Sequence, residues 1–152
     1  MEITTKDIID IYSRRISLFN DLLNCIMRER DNLINRDIRG IWSSLEEKQS
    51  IMDAIEETGR RLNGITERDI INRNMPGRDR DKIMELSRTL LRVKREIRAR
   101  VGENVSFINE TLDFFNEIIS VMTKAGDDGF NHYGPYGNLQ KAQKSVMYQG
   151  EV

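Results

Sequence analysis

A chain of 152 residues with a formal net charge of −1 has the size of one domain that can bury a hydrophobic core. Charged residues make up 32% of the chain and aromatic residues 7%, which is typical of long solvated helices and argues against a sheet protein. No stretch approaches the ~20 apolar residues that span a bilayer, no signal peptide opens the chain, and Cys25 alone forms no internal disulfide, so we expect a cytoplasmic protein without membrane insertion.

The first predicted helix begins near Thr4, where Thr4-x-x-Asp7 resembles a capping box. Apolar residues then recur at steps of three and four, with Arg30 as an interruption, as expected for one face of a helix. They are Ile9, Tyr12, Ile16, Phe19, Leu23, Ile26 and Leu33. Asn35-Arg36-Asp37 is a weak break in which Asp37 could cap a second helix. One bent, continuous helix is the alternative.

The second predicted helix carries a similar series, in which Lys48 fills one position. The apolar members are Ile38, Ile41, Leu45, Met52, Ile55 and Leu62. Trp42 flanks this series, and we expect it to pack rather than to serve as a ligand platform. Asn72 to Gly77, which contains Met75-Pro76-Gly77, is the clearest break in the chain and separates this region from a third helix.

The third predicted helix, from Asp79 to Lys124, has the strongest pattern. Twelve apolar residues recur at steps of three or four, and every position of the series is apolar. They are Ile83, Leu86, Leu90, Val93, Ile97, Val101, Val105, Ile108, Leu112, Phe115, Ile119 and Met122. Successive four-residue steps near Val101 are expected to keep this stripe on one side, and the helix is expected to tolerate Gly102. The sequence thus predicts an all-α fold of three long antiparallel helices, a coiled-coil-like bundle over 1–124, followed by a mobile tail over 125–152.

Predicted lengths give the first indication of function. The third helix would reach roughly 65 to 70 Å, against about 50 Å for the first and about 40 Å for the second. Part of its stripe would then face water, as apolar partner surfaces do. We expect Ile83 to Ile97 to lie in the core, whereas for Val105 to Met122 core and partner surface are equally good readings.

Nothing in the sequence supports catalysis, a metal site or a cofactor. His132 is the only histidine, and Cys25, next to the apolar stripe, is best read as a small buried hydrophobe. Asp127-Asp128-Gly129 lacks the alternating ligands of a calcium loop and is read as a turn. We therefore expect a protein that is not an enzyme.

One basic run lies on the third helix. Residues 78–100 hold nine basic and four acidic side chains, whereas the chain from Val101 onward holds three basic and seven acidic ones. No aromatic residues interleave with the basic ones, so a solvated face is favoured over an acidic protein partner, and both over nucleic acid. We expect no nucleic-acid partner.

Several segments together resemble the FlgN family of flagellar export chaperones. They are Glu29-Arg30-Asp31-Asn32-Leu33, Leu45 to Met52, Arg60-Arg61-Leu62, Asn104 to Met122 and the Tyr133…Gly137 motif. The resemblance covers roughly residues 8 to 138, although Pro135 departs from the usual form of the last motif.

The resemblance implies a chaperone that binds hook-filament junction (hook-associated) proteins through their terminal helices and brings them to the export gate. It places cargo on the end of the third helix, at Val105, Ile108, Leu112, Phe115, Ile119 and Met122, and gate docking at Tyr133 and Gly137. The alternative is a scaffolding coiled coil that buries the same stripe against a second copy as a homo-oligomer.

Overall fold

The computed structural model describes residues 2–62 and 64–126, and this part of the chain is all helix and connecting turns. Its elements are α1 (Thr5–Ile34), α2 (Ile38–Arg61), α3 (Glu67–Asn72) and α4 (Gly77–Gly126). The all-α prediction with three long helices is confirmed. Of the predicted tail over 125–152, the first two residues end α4, and the rest, from 127 onward, lies outside the described residues.

The chain divides into two units. The first extends to Ile108 and contains α1, α2, α3 and the first part of α4, and the second begins at Asn109. α4 is continuous through Gly102, as predicted.

α1 and α2 form an antiparallel hairpin, and the alternative of one bent helix is wrong. The turn between them is tight, because Arg36 adopts a left-handed φ of 55° and Asp37 caps α2 by accepting a hydrogen bond from the Gly40 N–H at 3.0 Å. A Cβ on Gly40 would lie only 2.7 Å from the Asn32 side chain. The glycine therefore allows the start of α2 to approach the end of α1.

The short helix α3 was not predicted, although its starting signal is present in the sequence. The Thr66 hydroxyl accepts from the Asp69 N–H, and the Asp69 carboxylate accepts from the Thr66 N–H. This is the same capping box that starts α1 at Thr4 and Asp7. α3 places Ile70 in the core, where it is almost fully buried.

Unit one has its core around α1. Ile8 and Tyr12 of α1 pack with Ile70 of α3 and with Ile83 and Leu90 of α4. Further along, Lys94 lies over the ring of Phe19. Contacting residues thus rise in residue number together along α1 and α4, so these two helices run parallel. α2 runs antiparallel to both.

The sequence stripe on α1 is only part of its buried surface. Because α1 contacts neighbours on two sides, it also buries residues outside the predicted series, including Ile8, Ile11, Leu18, Leu22 and Cys25. The predicted burial of Cys25 is confirmed.

The predicted buried side of α2 is wrong. The two buried residues of α2 are Ser44 and Thr58, whereas Ile38 and Met52 of the predicted stripe are exposed. Trp42 is 65% exposed and does not pack as expected. Small side chains form the buried contact with α1, because they let the two helices approach closely.

The long stripe of α4 does not stay on one side. Ile83, Leu90 and Val93 are buried as predicted, but the buried position that follows is Asn104, and Val101 and Val105 are exposed. Each residue turns a helix by about 100°, so two consecutive four-residue steps rotate the stripe by roughly 80°. The face against α1 instead continues through Asn104, seven residues after Ile97.

Candidate protein-binding surface

Three polar side chains join the three long helices inside unit one. Lys48 Nζ of α2 lies 2.7 Å from Glu29 Oε1 of α1, with both side chains partly buried. The Asn104 side-chain amide of α4 donates to the Ile26 carbonyl at 3.2 Å and to Glu29 Oε2 at 3.4 Å. Each of these hydrogen bonds satisfies a group that would be costly to bury alone.

A second set of polar contacts joins α1 to α2 near the turn between them. The Cys25 thiol donates to the Ser44 carbonyl at 3.3 Å, and the Asn32 amide donates to the Ser44 hydroxyl at 2.9 Å. Burial raises the pKa of the Cys25 thiol, and the nearby Glu47 carboxylate acts in the same direction. A protonated, enclosed thiol is unsuited to nucleophilic chemistry.

The residues predicted to bind cargo fall in both units. Val105 and Ile108 belong to unit one, and both are exposed, at 50% and 41%. Leu112, Phe115, Ile119 and Met122 belong to unit two. The structure therefore leaves Val105 and Ile108 accessible to a partner.

Unit two, over its described residues 109–126, is a helix with a broad apolar face. No residue of 109–125 is buried, and Phe115 and Met122 are 52% and 69% exposed. Asp113, Asn116 and Glu117 lie on the other side of the same helix. A strongly amphipathic helix that exposes large apolar side chains is typical of a protein-binding surface.

The prediction missed half of this apolar face. Phe114, Ile118 and Val121 form a second row beside Phe115, Ile119 and Met122, and all three are exposed. The rings of Phe114 and Phe115 meet edge to face with centroids 6.2 Å apart. The signal in the sequence was the run of apolar pairs, 114–115, 118–119 and 121–122. With both rows the face spans roughly 160° of the helix, enough to contact two neighbouring helices.

Other predicted features have separate outcomes. Tyr133 and Gly137, the proposed gate-docking residues, lie outside the described residues, as does His132. The basic run is largely solvated, since Arg88, Arg92, Arg95 and Arg98 are exposed. None of the helices in the described part of the chain contains an apolar stretch that could span a bilayer.

The apolar face of α4 and the polar cluster of Glu29, Lys48 and Asn104 lie in several of the segments on which the family resemblance rests. The description of the matching protein family is "FlgN protein", and the match covers residues 1–141, most of the chain. Searches of curated proteins and of solved structures found no significant match. The chain therefore belongs to the FlgN family, a family of chaperones in flagellar biogenesis.

Proposed function

We propose that this protein is a cytoplasmic export chaperone that binds hook-filament junction (hook-associated) proteins and delivers them to the flagellar export gate. The observation that carries the proposal is the exposed apolar face of α4 in unit two, in a member of a chaperone family. Its proposed ligand is an amphipathic terminal helix of the junction protein.

The cargo strip consists of the six predicted residues, and the additional row of Phe114, Ile118 and Val121 widens it. In unit two, a cargo helix that presents apolar residues at steps of three and four would lie along these rows in a helix-in-groove arrangement. The exposed apolar side chains supply the binding energy, because each loses contact with water in the complex.

The proposed binding also explains why a chaperone is needed. The family resemblance implies that the terminal helices of junction proteins polymerise in the assembled junction, and apolar stripes exposed before export would associate with each other. Covering one stripe with the cargo strip would keep the junction protein monomeric in the cytoplasm. Tyr133 and Gly137 are proposed to dock the chaperone on the export gate.

Mass measurement in solution tests the proposal. The chain is mixed with a junction-protein C-terminal segment, and the mass is determined by light scattering after size-exclusion chromatography. We expect a 1:1 complex. A tight homodimer that ignores the junction segment would contradict the proposal and favour the scaffolding coiled coil.

A further inference from the structure

Unit one contains an open cavity of about 450 Å³. No residue of the cargo strip or of the polar cluster lines it. α1, α3, α4 and Leu62 after α2 line it. Its floor is apolar and belongs to the core, with Tyr12, Ile70, Ile83 and Leu90. A cavity of this size is within the range of ligand sites.

Among the described residues that line the cavity, the charged ones are Arg15, Arg88 and Lys94, and all three are basic. Basic side chains in the lining give the cavity an electrostatic preference for a negatively charged partner.

Two of the three cations are held in place by their surroundings. The Arg15 guanidinium donates to the Thr58 hydroxyl at 3.0 Å and lies 5.6 Å from the centre of the Phe19 ring. Lys94 Nζ lies 5.3 Å from the centre of the same ring. Arg88 is exposed at the edge. Cations that are already positioned lose less entropy when they bind a carboxylate.

The cavity is elongated along α4. Its lining on this helix extends from Ile83 to Lys94, roughly 16 Å or three helical turns. Ile71, Met84 and Leu91 are exposed although they also line it, so apolar surface continues out of the cavity to solvent. Such a groove fits a helix that inserts one or two apolar side chains better than it fits a compact small molecule.

We propose that this groove binds an acidic amphipathic helical segment of a partner protein, with apolar side chains on the floor and carboxylates at Arg88, Lys94 and Arg15. Nucleic acid fits less well, because base stacking needs an accessible aromatic ring and the tyrosine of the groove is buried. The site is independent of the cargo strip, and the protein could use both surfaces for different partners.

Fluorescence anisotropy with a designed probe tests the proposal on the full chain. The probe is a labelled helical peptide of about 14 residues, roughly 21 Å long, with leucines at steps of three and four and glutamates elsewhere. We expect saturable binding that Arg88→Glu weakens roughly tenfold, because the substitution reverses a charge at the groove. Arg92→Glu is the matched control, since Arg92 lies one helical turn away, is exposed and does not line the groove.

Two further variants separate the alternatives. Because the cargo strip could also take up an amphipathic helix, the groove variants are made in a Phe115→Asp background. In that background the probe should still bind, and Leu91→Asp should weaken its binding. Circular dichroism of each variant verifies that the helices remain folded. Failure of the probe to bind, equal weakening by Arg88→Glu and Arg92→Glu, equal binding of a lysine version of the peptide, or its displacement by single-stranded DNA would each overturn the proposal.

Discussion

The side-chain amide of Asn104 on α4 donates a hydrogen bond to the main-chain carbonyl of Ile26 on α1, 3.2 Å away. Asn104 is only 5% exposed. The apolar pattern of α4 predicts that its neighbour Val105 is buried and does not include Asn104. A polar side chain inside a helical interface fixes the register of the two helices, because any slip leaves it without a partner.

Asn104→Ala should lower the free energy of unfolding by about 1 to 2 kcal/mol, because it removes a buried hydrogen bond and leaves Glu29 less well satisfied. Asn104→Asp should be more harmful, since it places a second carboxylate next to that of Glu29. Urea unfolding monitored by circular dichroism measures both. Asn116→Ala, at an exposed position of the same helix, is the control, and equal stability of all variants would contradict this role.

The ion pair between Glu29 and Lys48 should contribute more than an ordinary surface pair. A double-mutant cycle with Glu29→Gln and Lys48→Met is expected to give a coupling energy of about 1 kcal/mol, because the pair is short and partly shielded from water. The matched pair is Lys82 and Glu85, which lie 3.5 Å apart and are exposed. We expect its coupling to be near zero, and equal values for the two pairs would show that shielding has no effect.

The helices themselves could be predicted from local chemistry. The capping box at Thr4 and Asp7, the cap at Asp37 and the break at Pro76-Gly77 are local signals, and each lies where a helix begins or ends in the structure. α3 was missed although Thr66-x-x-Asp69 repeats the first of these signals, because a helix of six residues has no periodicity to accompany its cap.

Which side of each helix is buried was harder to predict from the sequence. Periodicity shows that a helix has an apolar side but does not identify its neighbour, so α2 was assigned a buried stripe that includes the exposed Ile38 and Met52. On the candidate site, exposure of Phe115, Ile119 and Met122 was one of two open readings, and Phe114, Ile118 and Val121 were not considered. Their burial depends on which helices lie beside α4, and sequence spacing alone does not contain that information.

The capping box of α3 should make stability depend on pH. Hydrogen bonds from the Thr66 hydroxyl and backbone N–H lower the pKa of Asp69 below its ordinary 3.8. The folded state thus favours the carboxylate, so this contribution is present above pH 3.8 and is lost as the pH falls through the lower pKa of the folded state. Asp69→Asn should destabilise the protein at neutral pH and make little difference in strong acid.

Thermal unfolding at neutral and acidic pH, followed by circular dichroism, measures this difference. Asp21→Asn removes the same charge from an exposed position of α1 and is the control. If Asp69→Asn and Asp21→Asn have the same effect at every pH, the cap does not contribute as described.

Tyr133 should act in delivery rather than in cargo binding. Tyr133→Ala is expected to retain affinity for the junction-protein segment, because the proposed cargo strip ends at Met122, and to reduce secretion of junction proteins from cells. Isothermal titration measures the affinity, and immunoblots of culture medium measure secretion. A variant that no longer binds the junction segment would show that the two roles are not separate.

The most direct test of the account is the affinity of the junction-protein C-terminal segment for Phe115→Asp, measured by isothermal titration beside the wild-type chain. Asn116→Asp is the matched control, because it adds the same charge one residue away on the polar side of α4. We expect Phe115→Asp to abolish binding with helical content preserved and Asn116→Asp to bind as the wild type does. Unchanged binding by Phe115→Asp, or loss of its helical structure, would contradict the assignment of this face to cargo.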